Sequence, residues 1–177
     1  MMTRTELAQT IYDVSHITGE FELRSGQTSH EYFDKYLFEG QPKILKAIAE
    51  AMLPLIPQGI DALAGLEMGG IPVVTMLSQL SNIPALFIRK KAKEYGTCKL
   101  AEGGDIAGKK LLIIEDVVTS GGQILLSTAD LRQRQAIVED VLCVIDREAG
   151  GSEKLAAEGL HLQSVFRMSG LKNIAAG

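Results

Sequence analysis

The sequence predicts an α/β protein built on a mainly parallel sheet with helices on both faces. Three observations carry this. Apolar runs such as "IDALAGL" (60–66), "KKLLIIEDV" (109–117) and "AIVEDVLCVIDRE" (136–148) are nearly continuous, as in strands buried on both sides. Segments of helical periodicity separate most of them, the pattern of parallel strands joined by crossover helices. A chain of 177 residues with 46% hydrophobic and 23% charged residues suits one soluble domain with a sizeable core.

The elements follow in order. The first helix is "TELAQTIYDVSHI" (5–17), with Leu7, Ile11 and Val14 at helical spacing. Then "GEFELRSGQTSHEYFDKYLF" (19–38) is polar, aromatic and turn-bearing, and "RSGQTS" is a turn between two short extended segments. "PKILKAIAEAMLPLI" (42–56) places Ile44, Leu45, Ile48, Met52 and Leu55 on one helical face, with Pro42 early in the helix. Strand 60–66, helix "IPVVTMLSQLS" (71–81), strand "PALFIRK" (84–90) and strand 109–117 come next. Helix "GQILLSTADLRQRQ" (122–135), strand 136–148, helix "GSEKLAAEG" (151–159) and strand "LHLQSVF" (160–166) complete the series. With no internal repeat or low-complexity tract, a single domain over 1–177 is expected, with an N-terminal segment to about residue 40 and a C-terminal tail outside the alternating pattern.

Composition excludes several function classes. The net charge of −4 gives no field that would favour nucleic acid. Cys98 and Cys143 lie far apart without a CxxC pair, and His16, His30 and His161 are scattered, so a structural zinc site is not expected. The free thiols fit a reducing compartment. "MMTRTELAQTIYD" lacks the apolar core of a signal peptide, and no apolar run approaches the roughly 20 residues that cross a membrane. A cytoplasmic protein without membrane or nucleic-acid partners is expected.

Parallel sheets bind ligands beyond the carboxyl ends of their strands, which directs attention to the loops after residues 65, 88, 116 and 146. In "KKLLIIEDVVTSGGQILLST" (109–128), a buried strand runs into Glu115 and Asp116 and then into Thr119, Ser120, Gly121 and Gly122. Small residues let backbone N–H groups approach an anion, and the helix that follows aims its N-terminal donors at the same place. This is a phosphate cradle, but neither a Walker A loop nor GxGxxG. Two carboxylates beside a phosphate must face sugar hydroxyls, a divalent ion or developing positive charge. An activated ribose 5-phosphate combines phosphate, diol and incipient cation.

"LLIIEDVVTSGG" resembles the ribose-phosphate signature of type I phosphoribosyltransferases. Three further stretches resemble the orotate branch of that family: the hood segment "GEFELRSGQTSHEYFD" (19–34), the lid segment "FIRKKAKEYGT" (87–97) and the turn "VIDREAGG" (144–151). The resemblance implies a type I phosphoribosyltransferase fold with a small N-terminal hood. It also implies transfer from phosphoribosyl pyrophosphate to orotate with Mg2+, and a homodimer whose sites are shared across the interface.

The resemblance also distributes roles. Phosphoribosyl pyrophosphate would lie on Val117, Val118, Thr119, Ser120, Gly121, Gly122 and Gln123. Glu115 and Asp116 would hold the ribose hydroxyls and offset positive charge at C1′. Arg89, Lys90, Lys93 and Tyr95 would face the pyrophosphate, with Lys93 catalytic on a mobile lid and Arg89 donated in trans. The basic cluster, which includes Lys91, suits a highly charged leaving group. Mg2+ would be carried mainly by the substrate, with no direct protein ligand required. Arg147 and Thr119 would orient orotate, with Arg24, where relatives usually have Lys, and with Tyr32 and Phe33 as ring walls. Adjacent aromatics on a strand face opposite ways, so one of those two is expected to stack and the other to enter the core. "GLEMGGIP" (65–72) would form a second anion nest, in which Glu67 sits oddly beside an anion. The alternatives are transfer to another base, or a regulator that binds the sugar phosphate without catalysis. A bifunctional enzyme with a decarboxylase barrel is not expected at this length.

Overall fold

The computed structural model describes residues 2–22, 26–92 and 99–176. Helix α1 (Arg4–Ser15) opens with a capping box: Glu6 N–H donates to Thr3 Oγ1, and Thr3 N–H donates to the Glu6 carboxylate at 2.7 Å. It buries Leu7, Ala8 and Ile11. An antiparallel hairpin of β1 (His16–Glu22) and β2 (Thr28–Phe33) follows, with residues 23–25 of its turn, Arg24 among them, outside the described residues. Helix α2 (Lys35–Glu39) starts where the Asp34 carboxylate accepts from Tyr36 N–H at 3.0 Å. Helix α3 (Pro42–Met52) buries Ile44, Leu45, Ile48 and Met52 as predicted. Leu55 does not share that helix. Pro54 lies in a 3-10 turn, Leu53–Leu55, because it has no N–H to continue the α ladder.

The main sheet comprises β3 (Ala62–Leu66), β4 (Ala85–Ile88), β5 (Ala101–Glu102), β6 (Lys110–Val118), β7 (Ile137–Asp146) and β8 (His161–Arg167). Its order is β5-β4-β3-β6-β7-β8, and every pairing is parallel except that of β4 with the short β5. The chain leaves β3 toward β4 and β5, then returns to the opposite side of β3 with β6 and continues to β8. The order therefore reverses between β3 and β6. At such a switch point the two following loops part and open a crevice at the carboxyl end of the sheet.

On one face pack α1, α3 and α4 (Gly70–Ser81), joined by Phe38 of α2 and by Met168 and Leu171 of α7 (Met168–Ala175). Residues of α5 (Gly122–Gln133) and α6 (Gly151–Ala157) cover the other face, with Leu100, Ala101 and Ile106. The predicted architecture is present, with three additions: α2, β5 and α7. All are short, and α7 is fixed from outside, since Ser169 N–H donates to the Glu148 carboxylate at 2.9 Å. One expectation changes: strand β6 runs to Val118, so both acids lie inside the strand and not at its end. Beyond the lid segment, Leu100 and Ala101 are buried, and the Leu100 carbonyl accepts from Arg89 N–H at 2.9 Å. Lys93 and Tyr95 lie outside the described residues.

Candidate active site

The crevice at the switch point is built from the loops after β3 and β6. After β6, Thr119 and Ser120 are exposed, and Gly121 takes a φ of 73° as the N-cap of α5. That left-handed turn suits glycine, and a Cβ there would also press on Leu155 at 3.2 Å. A Cβ on Gly151 would meet the Thr119 carbonyl at 2.6 Å, so α6 supports the loop from behind. Glu115, Val117, Val118, Thr119, Ser120, Gly121, Gly122, Gln123 and Ile124 together line a cleft of about 170 Å3. The cradle residues named from sequence thus converge on one place, at a helix N-terminus with no side-chain cap.

The two acids part company. Glu115 opens into the cradle cleft, and its carboxylate accepts from Asp116 N–H at 3.2 Å. Asp116 is fully buried on the opposite side of β6. Its Oδ1 accepts from Val117 N–H at 2.5 Å, and Lys35 Nζ of α2 lies 2.5 Å from Oδ2. A Cβ on Gly69 would fall 1.7 Å from that oxygen, so the loop after β3 closes over Asp116 only because residue 69 is glycine. Glu39, one turn after Lys35 on α2, also turns its carboxyl to Asp116.

The electrostatics follow from that crowding. Burial and the adjoining Asp116 push the Glu39 carboxyl up to about 9. Burial, then the Asp116 charge, raises Glu115 as well. For Asp116, burial opposes ionisation, but hydrogen bonds from Glu39 and Lys35 outweigh it and hold the carboxyl below its ordinary value. Burial works against the Lys35 ammonium, and Asp116 more than restores it. At neutral pH Asp116 carries the charge, balanced by Lys35, with a protonated Glu39 beside it and Glu115 pushed in the same direction.

Glu67 finds its partner beside β3: its carboxylate accepts from Lys90 N–H at 2.6 Å, tying the loop after β3 to the end of β4. It is a brace between two loops. Arg89 pairs with Glu102 of β5 at 3.2 Å, and Lys90 is exposed.

A second cleft, of about 160 Å3, is lined by Tyr12, His16, Glu31, Tyr32, Phe33, Arg147 and Lys172, among others. Arg147 is exposed at the end of β7. The neighbouring Asp146 carboxylate accepts from Glu148 N–H at 2.9 Å. Tyr32 is exposed and tilts against Phe21, while Phe33 is half-buried, facing Tyr12 and the core. His16 and Lys172 were not among the sequence candidates. They enter through the hairpin and through α7, and both face Glu31, His16 at 2.9 Å and Lys172 at 3.8 Å. Lys35 and Glu39 were missed as well; the visible signal was their i, i+4 spacing beside the hood aromatics. Among the described residues, no three His, Cys, Asp or Glu side chains converge into a metal site.

Comparison with known proteins agrees with this geometry. Residues 38–165 match the phosphoribosyl transferase domain model. An orotate phosphoribosyltransferase of Nocardioides sp. is 52% identical over 160 residues, covering 90% of this chain and 89% of the relative. One from Methanocella arvoryzae is 40% identical, covering 94% and 96%. The crystal structure of Mycobacterium tuberculosis orotate phosphoribosyltransferase in complex with 5-phospho-alpha-D-ribosyl 1-diphosphate superposes with a TM-score of 0.82 at 27% identity, over 96% of this chain and 98% of that one. With its cradle at the β3/β6 switch point and relatives of this closeness along nearly its whole length, the chain belongs to the orotate phosphoribosyltransferase family of phosphoribosyl transferase domains.

Proposed function

We infer that this chain transfers the ribose 5-phosphate of phosphoribosyl pyrophosphate to N1 of orotate, releasing pyrophosphate and giving orotidine 5′-monophosphate in pyrimidine biosynthesis. The observation that carries this is the cradle of Glu115 to Ile124, set at the switch point of a sheet whose relatives bear this activity.

In the mechanism we propose, the 5′-phosphate rests on the backbone N–H groups of Thr119 to Gly122, and Val117, Val118 and Gln123 shape the walls. Glu115 and Asp116 serve the ribose hydroxyls, and the charge on Asp116 offsets positive charge at C1′ as the bond to pyrophosphate lengthens. Mg2+ entering with the substrate would neutralise part of the leaving group's charge, and Glu115, which lines the cradle, would accept from water around it. Lys90, Lys93, Tyr95 and Arg89 complete the pyrophosphate subsite. Lys93 closes a lid that excludes water, and Arg89 is donated across a homodimer interface after leaving Glu102. Orotate lies in the cleft of Tyr32, Phe33 and Arg147, and the family resemblance gives Arg24 and Thr119 a part in holding it. The guanidinium of Arg147 matches the ring carboxylate that uracil lacks. The pathway places the enzyme in the cytoplasm; no described helix is long and apolar enough to cross a membrane.

The deciding assay offers phosphoribosyl pyrophosphate with orotate, uracil or purine bases, with and without Mg2+. Orotidine 5′-monophosphate and pyrophosphate should form together, with orotate and Mg2+ only. Preference for another base, or binding without turnover, would overturn the assignment.

A further inference from the structure

Asp116 is gripped from a direction that the phosphoribosyl motif does not supply. Lys35 and Glu39, one turn apart on α2, reach it from outside the sheet, while Gly69 closes the other side. We propose that Lys35 and Glu39 are positioning residues for Asp116: an ion pair from Lys35 and a carboxyl–carboxylate hydrogen bond from Glu39 fix the one orientation in which Asp116 can serve the ribose.

Glu39 is 5% exposed, and among the described residues no N–H or hydroxyl donates to either of its carboxyl oxygens. A buried carboxyl with no such donor is costly, and an apolar side chain would serve the packing of α2 better. What Glu39 does have is Asp116. Two carboxylates in contact repel, but a protonated acid facing a carboxylate makes a strong, directional O–H···O− bond. Lys35 supplies the counter-charge that lets Asp116 stay ionised in a fully buried position. With Val117 N–H on the other oxygen, the carboxylate is held by groups from both α2 and β6, which leaves it little freedom to rotate.

The inference rests on the role proposed for Asp116, and a double-mutant cycle separates the two. Asp116→Asn alone tests that role, and Glu39→Leu in both backgrounds tests the positioning. We expect Glu39→Leu to lower kcat/KM for phosphoribosyl pyrophosphate about 10- to 30-fold in the wild-type background and less than about 2-fold in Asp116→Asn. Its thermal midpoint should be unchanged or raised, which a merely structural role would not allow alongside lost activity. Glu39→Gln, which keeps a donor facing Asp116, should retain most of the activity. Should Glu39→Leu not fold, Lys35→Met takes its place in the cycle with the same reading. Losses that multiply across the two backgrounds would overturn the positioning role. A wild-type rate for Asp116→Asn would remove the role of Asp116, and this proposal with it.

Discussion

Replacing Glu39 by Gln should change how stability depends on pH, and the sign follows from the site. A glutamate ordinarily releases its proton near 4.5, but in the folded chain burial and Asp116 raise Glu39 to about 9. Below the first value both states hold the proton. Between the two, the unfolded chain binds one proton fewer than the folded chain, so stability falls as pH rises. Above the second both have released it. The slope is about 1.4 kcal/mol per pH unit, or about 6 kcal/mol across the whole window. Glutamine does not titrate, so the variant lacks this loss, and its amide keeps a donor facing Asp116, whose carboxyl Glu39 helps to hold down. Glu39→Gln should therefore gain on the wild type steadily from about pH 5 to about pH 9, leading by several kcal/mol at the alkaline end. A constant offset from the fit of the amide leaves the slope unaltered. The chain has no Trp, so urea unfolding followed by circular dichroism across this range is the suitable measurement. A difference that does not vary with pH, or that shrinks as pH rises, would refute the protonated state of Glu39.

Gly69→Ala should be far more damaging than an exposed loop substitution. Its Cβ would fall 1.7 Å from Asp116 Oδ2, so either the loop or the carboxylate must move, and kcat/KM should drop about 100-fold. Steady-state kinetics beside a thermal melt check this, and wild-type kinetics would show that Asp116 is not confined by the loop. Arg147→Ala should raise KM for orotate about tenfold or more while leaving KM for phosphoribosyl pyrophosphate within about twofold. Equal losses for both substrates would count against its place in the base cleft.

The sheet was legible because β3, β6 and the second half of β7 are apolar on both faces. The cradle was legible because an anion site needs small residues, and glycines at 121 and 122 directly after a strand are hard to explain otherwise. The acid pair was legible only as a pair. Strand geometry sends neighbours to opposite faces, and because β6 continues to Val118 that rule applies to Glu115 and Asp116. One faces the cradle and the other faces α2. The α2 contacts themselves were not legible. A five-residue helix leaves almost no periodic signal, and Lys35 and Glu39 resemble any solvated i, i+4 pair until tertiary structure brings Asp116 between them. The consequence is a division of labour that the motif does not show. A cradle that must accept an anion cannot also leave two bare carboxylates in front of it. Folding pushes Glu115, which lines the cleft, toward its neutral form, and holds Asp116 ionised behind it with its own counter-ion. The repulsion that "EDVVTSGG" invites is thereby lessened before any phosphate arrives, and in the proposed mechanism the charge on Asp116 is the one that meets C1′ as it turns positive.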